Sequence, residues 1–575
     1  MASDTDPVRP HRAVAESRSK SGDGLLWDRV SRYFTWYETE NLNIAHEAVD
    51  RWARDEQRRS LKALVIEQGG KPREYTYREI RELSSQWANL FTERGLAPRD
   101  IIWTMLPACP ELYVTTVGAA RRGIIQCPIH PSSTLPDLEF YFRNTRPKAL
   151  VTTRSLYERI PESGISMLEK IFLIDGPAPG FHPNEVSVEN VINDLPKRTP
   201  GMWVRGAAPM CVFFVSGGTE PPKGIVHSHI SMVGHFFSGK HIFGLNERSV
   251  FWCDAHPSTA SGLFFGVLAP WLCCARAVVQ GGPFSASTWY RTLERHGVTV
   301  WYTSPAVISR LMEAGDDLPK RYDLSGLVRI ITGGAALTAE QHRWVSHAFG
   351  VDPLNTWSMT ETGMICLADP GSRLGKAGSL GRPVEGIEAA VLDEQGHPVP
   401  PGTLGELAVG AGWPSMTTGV WDDPIRYQEY FRHQGWFSTG DLASMDEEGF
   451  FYHHGRKDDI IKVEGRRLGP QEVENALCLH PAVTEAAAIS MGSPSEGPSF
   501  CLFVTLRRTT RPSKRLAAEL RTCLTSAISV ELPIRDLLFV DTLTKSRSGK
   551  VLRRALRAAQ LGLPIGNPAN LEDIG

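Results

Sequence analysis

The chain has 575 residues, 42% hydrophobic and 22% charged, which is too long for one simple core and apolar enough for two or more domains. A net charge of -2 excludes the basic field of a nucleic-acid binder. No run of about 18 uncharged apolar residues marks a transmembrane helix, and the polar stretch Met1 to Gly24 lacks the apolar core of a secretory signal.

Residues 1–24 read as a disordered arm. From Leu25 onward, helical periods alternate with short apolar runs. Ile80, Leu83, Trp87, Leu90 and Phe91 share one face of a helix over Tyr77 to Arg94. Strands follow at Ile101 to Leu106, Gly123 to Pro128, Ala149 to Thr152 and Ile171 to Ile174, with a helix at Pro110 to Ala120. Cys211 to Val215 reads as a buried strand, and Val298 to Thr303 and Val328 to Thr332 continue the βα rhythm of largely parallel sheets. After about Gly386, dense Pro and Gly with short alternating strands such as Gly405 to Val409 predict a β-rich subdomain at about 386–454. Gly455 to Asp459 is a polar break. Beyond it Pro470 opens a helix, Val483 to Ile489 and Phe500 to Leu506 read as strands, and Leu516 to Ile528 as a helix. The expected fold class is therefore α/β: a large domain over 25–457 and a small α+β domain over 458–575.

The 10 cysteines form no CxxC pair, and Cys273-Cys274 sit inside an apolar run. Buried free thiols in a reducing cytoplasm are the expectation. His256 and His453-His454 lack metal-ligand spacing.

The loop Ser216 to Gly224 follows a buried strand and is built of small residues. Its backbone N–H groups can close around an anion, with Thr219 and Lys223 adding a donor and a charge. Glu220 sets a carboxylate in the same loop. The other polar segments each have a plain reading: Gly333-Gly334-Ala335 as a tight turn, Trp357 as core, Thr360-Glu361-Thr362 as a helix cap, Thr439-Gly440-Asp441 as a turn, Arg456 with Asp458 as a surface ion pair, and Ser546 to Lys550 as a solvated loop. Their joint occurrence in this order is what chance does not supply.

Together they resemble the adenylate-forming superfamily of acyl-CoA synthetases, adenylation domains and luciferases. The resemblance spans roughly Leu42 to Leu556. It rests most on Gly435 to Asp441, Gly455 to Lys462, Gly465 to Arg467, Pro470 with Glu472 to Glu474, Asn355 to Gly363, and Arg547 to Lys550. The opening, Leu42 to Arg51, is similar to the acetyl- and medium-chain acyl-CoA synthetase branch.

The resemblance implies two half-reactions: a carboxylate attacks ATP to give an acyl-adenylate and pyrophosphate, and a thiol then displaces AMP. It implies ATP and Mg²⁺, with CoA as co-substrate. Lys550 would reach the forming acyl-adenylate from the small domain. Asp441 would accept from the ribose hydroxyls, with Arg456, Arg467 and Lys462 near ribose and phosphates. Trp357 would stack on adenine, flanked by Asn355, Thr356 and the backbone of Gly333, Gly334 and Ala335. Ser216, Gly217, Thr219 and Lys223 would cradle phosphates, Thr360 would meet the α-phosphate, and Glu361 would hold Mg²⁺ through oxygen. Asp458 falls at the family's hinge, which makes the small domain mobile, and Gly465 beside its pantetheine tunnel.

Several positions depart from the family pattern. In the phosphate loop Val215, Gly218 and Glu220 stand where relatives carry Thr, Ser or Thr, and Gly. Two charges about 4 Å apart at an effective dielectric near 20 interact by about 4 kcal/mol, so weaker ATP binding is expected. Ser358 stands where acetate-using relatives carry a pocket-closing Trp, and Thr259 where a second Trp is expected. Thr259, Ala260, Ser261, Thr332 and Ser358 are thus the predicted acid pocket. These small residues favour an acid larger than acetate, aryl acids included, because a small acid leaves a void. Adenylation of nitrite for diazotisation of an arylamine, and loading of a carrier-protein thiol, are the alternative reactions. A non-catalytic nucleotide-binding relative is the alternative of another class. No nucleic acid or membrane partner is expected, and the oligomeric state is open.

Overall fold

The computed structural model describes residues 23–560 apart from 38, 40, 69–70, 177–182, 216–221, 372–374, 458–460, 464–465, 492–498, 508–509, 529–530 and 546–550. The expected arm falls almost wholly outside these residues. A helix at Asp23–Ser31 begins within its last two positions and buries Leu26 and Val30 against the main core.

Two large sheets dominate the N-terminal domain. The first has eight strands in the order Gly419–Val420, Lys223–Ser228, Pro209–Val215, Ile125–Pro128, Ile101–Met105, Ala149–Thr152, Lys170–Leu173 and Glu185–Ser187. The second has nine and centres on Pro353–Trp357, Arg329–Thr332, Val300–Thr303, Val250–Cys253, Arg276–Gln280 and Lys62–Gln68, all parallel. Central strands such as Ile101–Met105 are buried at every position, as a sheet covered on both faces requires.

Local signals set the helices between these strands. Thr76 and Glu79 form a reciprocal cap on Tyr77–Glu93, and that helix buries Ile80, Trp87, Leu90 and Phe91. Pro110 starts Pro110–Arg121, whose last residue reaches back to Asp50 with two bonds of 2.6 and 2.7 Å at zero and 1% exposure. Breaking that buried pair by removing one partner would leave an uncompensated charge, at a cost of about 3–5 kcal/mol.

The predicted β-rich subdomain is a four-stranded antiparallel sheet of Ala389–Leu392, Gly405–Gly410, Trp436–Met445 and Phe451–Arg456. The C-terminal part has its own core: Leu468, Val473, Leu477, Phe500, Leu502, Val504, Leu520 and Leu524 pack together around a three-stranded sheet. Among the described residues no helix is long and apolar enough to cross a membrane.

Candidate active site

Parallel strands deliver side chains at their carboxyl ends, and here three neighbouring strands do so together. Val300–Thr303 carries Tyr302 one residue before its end, Arg329–Thr332 runs into Gly333 to Ala335, and Pro353–Trp357 runs into Ser358 to Gly363. The subdomain sheet brings in Asp441 and Arg456 as a cross-strand pair.

Asp441 is the hub of that pair. Its Oδ1 accepts from Arg456 Nη1 at 2.8 Å and its Oδ2 from the Trp357 indole at 3.0 Å, with His453 Nε2 at 3.7 Å. Burial alone would raise this carboxyl. Hydrogen bonding and electrostatic attraction from His453, the Arg456 charge and the Trp357 donor outweigh it and hold the group well below the usual carboxylate range. Arg456 also donates to the Thr439 carbonyl at 3.0 Å, so it fixes the turn that carries Asp441.

Glu361 forms a second polar knot. Its Oε1 accepts from the Tyr430 hydroxyl at 2.7 Å and pairs with Lys223 Nζ at 3.1 Å. Lys223 donates in turn to the Tyr430 oxygen. Burial and the Glu361 charge raise the Tyr430 phenol, which therefore stays a donor toward the carboxylate. No motif marks Tyr430, which lies 69 positions from Glu361 and 207 from Lys223.

The turn between Trp357 and Met364 is held by its carbonyls. Thr360 O is within 2.7 Å of His227 Nε2, and Gly363 O within 2.7 Å of His235 Nδ1. Glu361 O accepts from Thr417 N at 2.8 Å. Thr362 O accepts twice, from Trp413 Nε1 at 2.8 Å and Ser415 Oγ at 2.9 Å. A carbonyl only accepts, so His227 carries its proton on Nε2 and His235 on Nδ1. Burial pushes His227 down to about 4 and His235 to about 3, so both are neutral at pH 7. Gly363 sits at φ 64°, and a side chain there would run into the Ser415 carbonyl and the His227 ring.

Other predicted positions separate into those near the site and those behind it. Ala260, Ser261 and Ser358 are half-buried, at the start of the Ser261–Leu268 helix and beside Trp357. Gly334 and Ala335 are exposed, while the missing side chain of Gly333 makes room for the Tyr302 hydroxyl. Thr332 is fully buried, and its hydroxyl donates to Asn355 Oδ1 at 3.0 Å. Asn355 is fully buried as well and is spent on the scaffold: it also accepts from Leu337 N at 3.1 Å and donates to Ser379 O at 3.0 Å. Thr356 turns inward to the Thr332 carbonyl at 2.8 Å. Period-2 alternation is the physical reason, since Thr356 lies between residues facing the other way. Thr259 is exposed and caps the next helix, donating to His256 O and accepting from Gly262 N. Ser216, Gly217, Thr219, Glu220, Asp458, Gly465 and Lys550 lie outside the described residues, as do the side chains of Lys462 and Arg467.

Among the described residues no group of three His, Cys, Asp or Glu side chains could cage a metal. One buried carboxylate, Glu361, beside a hydroxyl, Thr360, nevertheless fits Mg²⁺. That ion is usually bound by one or two carboxylates, with substrate phosphates and water completing its shell.

Comparison with known proteins matches this layout. The profile of the AMP-binding enzyme family covers residues 49–421, and that of the AMP-binding enzyme C-terminal domain covers residues 472–550. The acetyl-coenzyme A synthetase of Bacillus subtilis (strain 168) is 36% identical over 95% of this chain and 97% of its own length. That of Pyrobaculum aerophilum is 31% identical over 95% and 88%. Among solved structures, the anthranilate CoA ligase AuaEII in complex with anthranoyl-AMP superposes with a TM-score of 0.81, 26% identity and coverage of 91% and 98%. A benzoate CoA ligase from Burkholderia xenovorans LB400 gives 0.78, 25%, and coverage of 90% and 100%. The chain belongs to the AMP-binding enzyme family, as an AMP-forming ligase of the acyl-CoA synthetase branch of the adenylate-forming superfamily.

Proposed function

We propose that this enzyme activates a carboxylic acid larger than acetate, aryl acids included, as its adenylate and transfers the acyl group to CoA. One observation carries the choice of acid. Ser358 is half-buried directly after Trp357, where the resemblance to acetate-using relatives implies an indole. With Ala260 and Ser261 also small, an acetyl group would leave unfilled space and forfeit dispersion contacts. Whole-chain similarity to acetyl-CoA synthetases reports the scaffold, whereas a few pocket side chains set the acid.

In the first half-reaction a carboxylate oxygen attacks the α-phosphorus of ATP, and the bond to the departing pyrophosphate breaks. Asp441, held by Arg456 and Trp357, accepts the ribose hydroxyls. Thr360 donates to an α-phosphate oxygen and Lys550 stabilises the charge that develops there. Mg²⁺, when bound at Glu361, neutralises phosphate charge. Lys223 exchanges Glu361 for phosphate as nucleotide enters, and Ser216, Gly217 and Thr219 would contribute donors to the same phosphates. In the second half-reaction the CoA sulfur attacks the acyl carbon, AMP leaves, and the thiol proton goes to solvent. Rotation about Asp458 would bring Gly465 beside the thiol arm for this step. Among the described residues no hydrophobic cluster joins residues on both sides of 458, which supports a division into 25–457 and 458–575. Ten free thiols, eight of them buried, support a reducing, cytoplasmic setting.

Product analysis tests this reading. Wild-type enzyme with benzoate, Mg-ATP and CoA should yield AMP, pyrophosphate and acyl-CoA in equal amounts. Lys550→Ala should lose adenylation by at least about a hundredfold. AMP formation that ignores CoA but responds to an arylamine or a carrier protein would overturn the assigned acceptor.

A further inference from the structure

The turn that carries Thr360 and Glu361 is gripped from behind, and the grip has its own functional consequence. All four carbonyls from Thr360 to Gly363 point into the protein. His227 and His235 hold the ends at 2.7 Å each, and Trp413, Ser415 and Thr417 hold the middle at 2.8 to 2.9 Å. His227, Ser415 and Thr417 are buried, as is His235, and the donors come from two separate parts of the chain. Phe264 lies flat on His235 at 4.3 Å and edge-on to His227 at 4.7 Å, so neither imidazole can swing away.

We propose that His227 is a positioning residue for nucleotide and Mg²⁺ binding, with His235 and Ser415 as its partners. By fixing the Thr360, Gly363 and Thr362 carbonyls inward, they force the Thr360 hydroxyl and the Glu361 carboxylate onto the ligand side of the turn. Neither histidine touches substrate or exchanges a proton; each acts as a neutral donor of fixed tautomer. Thr360 O can take its hydrogen bond only while Nε2 of His227 carries the proton, and a glutamine amide can reproduce that donor. The inference rests on the assignment of Thr360 to the α-phosphate and Glu361 to Mg²⁺.

The test is equilibrium binding of α,β-methylene ATP by calorimetry, with and without Mg²⁺, on the full chain. The ratio of the two dissociation constants reports how well Glu361 is placed. His227→Phe keeps the packing on Phe264 and removes the donor, and should cut the Mg²⁺-dependent gain about threefold to tenfold. His227→Gln should restore it to within about twofold of wild type, a rescue that loss of packing would not show. Ser415→Ala leaves Trp413 on the Thr362 carbonyl and should cost less, which keeps the proposal testable should His227→Phe fail to fold. An unchanged Mg²⁺ ratio in His227→Phe, or in Ser415→Ala where that is the folded variant, overturns the proposal. So does equal loss in His227→Phe and His227→Gln. Absence of any Mg²⁺ effect in wild type would instead overturn the Glu361 assignment beneath it.

Discussion

Replacing Tyr430 by Phe isolates one hydroxyl at the centre of the site. The ring stacks on Phe437 at 4.8 Å and 15°, so Phe preserves the packing. What disappears is the 2.7 Å bond to Glu361 Oε1 and the oxygen that accepts from Lys223. Glu361 is 3% exposed, so water cannot replace the donor without rearrangement. A hydrogen bond to a charged group contributes about 1.5–3 kcal/mol. Lys223 remains at 3.1 Å and keeps part of that, so the lower end applies. A loss of about 1.5 kcal/mol corresponds to about tenfold. The expected result is a tenfold rise in the apparent constant for Mg-ATP in acid-dependent ATP–pyrophosphate exchange, with the circular dichroism spectrum unchanged. An effect below about twofold would refute the claim that Tyr430 sets Glu361 for nucleotide.

Asp441→Asn removes the charge that faces Arg456 and should weaken ATP binding about tenfold or more by calorimetry, with the Trp357 donor still satisfied by the amide oxygen. Ser358→Trp should fill the proposed acid pocket and shift kcat/KM toward acetate and away from benzoate by at least about tenfold, read from acid-dependent AMP release. Acid should destabilise the fold through His229 and His235, which burial holds at about 4 and about 3. Above the ordinary histidine value of about 6.5 neither state binds the proton. Below it the unfolded chain does and the folded one does not, so stability falls as pH drops from about 6.5 toward 4, by at most about 1.4 kcal/mol per pH unit for each histidine. Urea midpoints that stay constant across that range would show these imidazoles to be protonated in the fold.

Linear pattern carried the architecture far. Ala149 to Thr152 is a strand with the predicted bounds, and Tyr77 to Glu93 and Pro470 to Cys478 are the helices their apolar period and proline announced. The Asp441–Arg456 and Lys223–Glu361 contacts also join residues the motifs had singled out. What stayed hidden depended on which way a side chain turns at a strand end. Thr332 and Asn355 sit among pocket residues in sequence but bond to each other inside the scaffold. Tyr430, Trp413 and Ser415 reach the site only through packing of distant elements, and no local spacing marks them. The cluster His227, His229 and His235 after Lys223 was a readable signal, since histidines in an apolar stretch must find partners when buried.

The central claim is that this site adenylates an acid larger than acetate for transfer to CoA. The direct measurement is kcat/KM for acetate, a medium-chain acid and benzoate, each with Mg-ATP and CoA, read as acyl-CoA formed. Benzoate or the medium-chain acid should exceed acetate by at least about tenfold. Acetate outrunning both would contradict it and would assign the pocket behind Ser358 to a two-carbon acid.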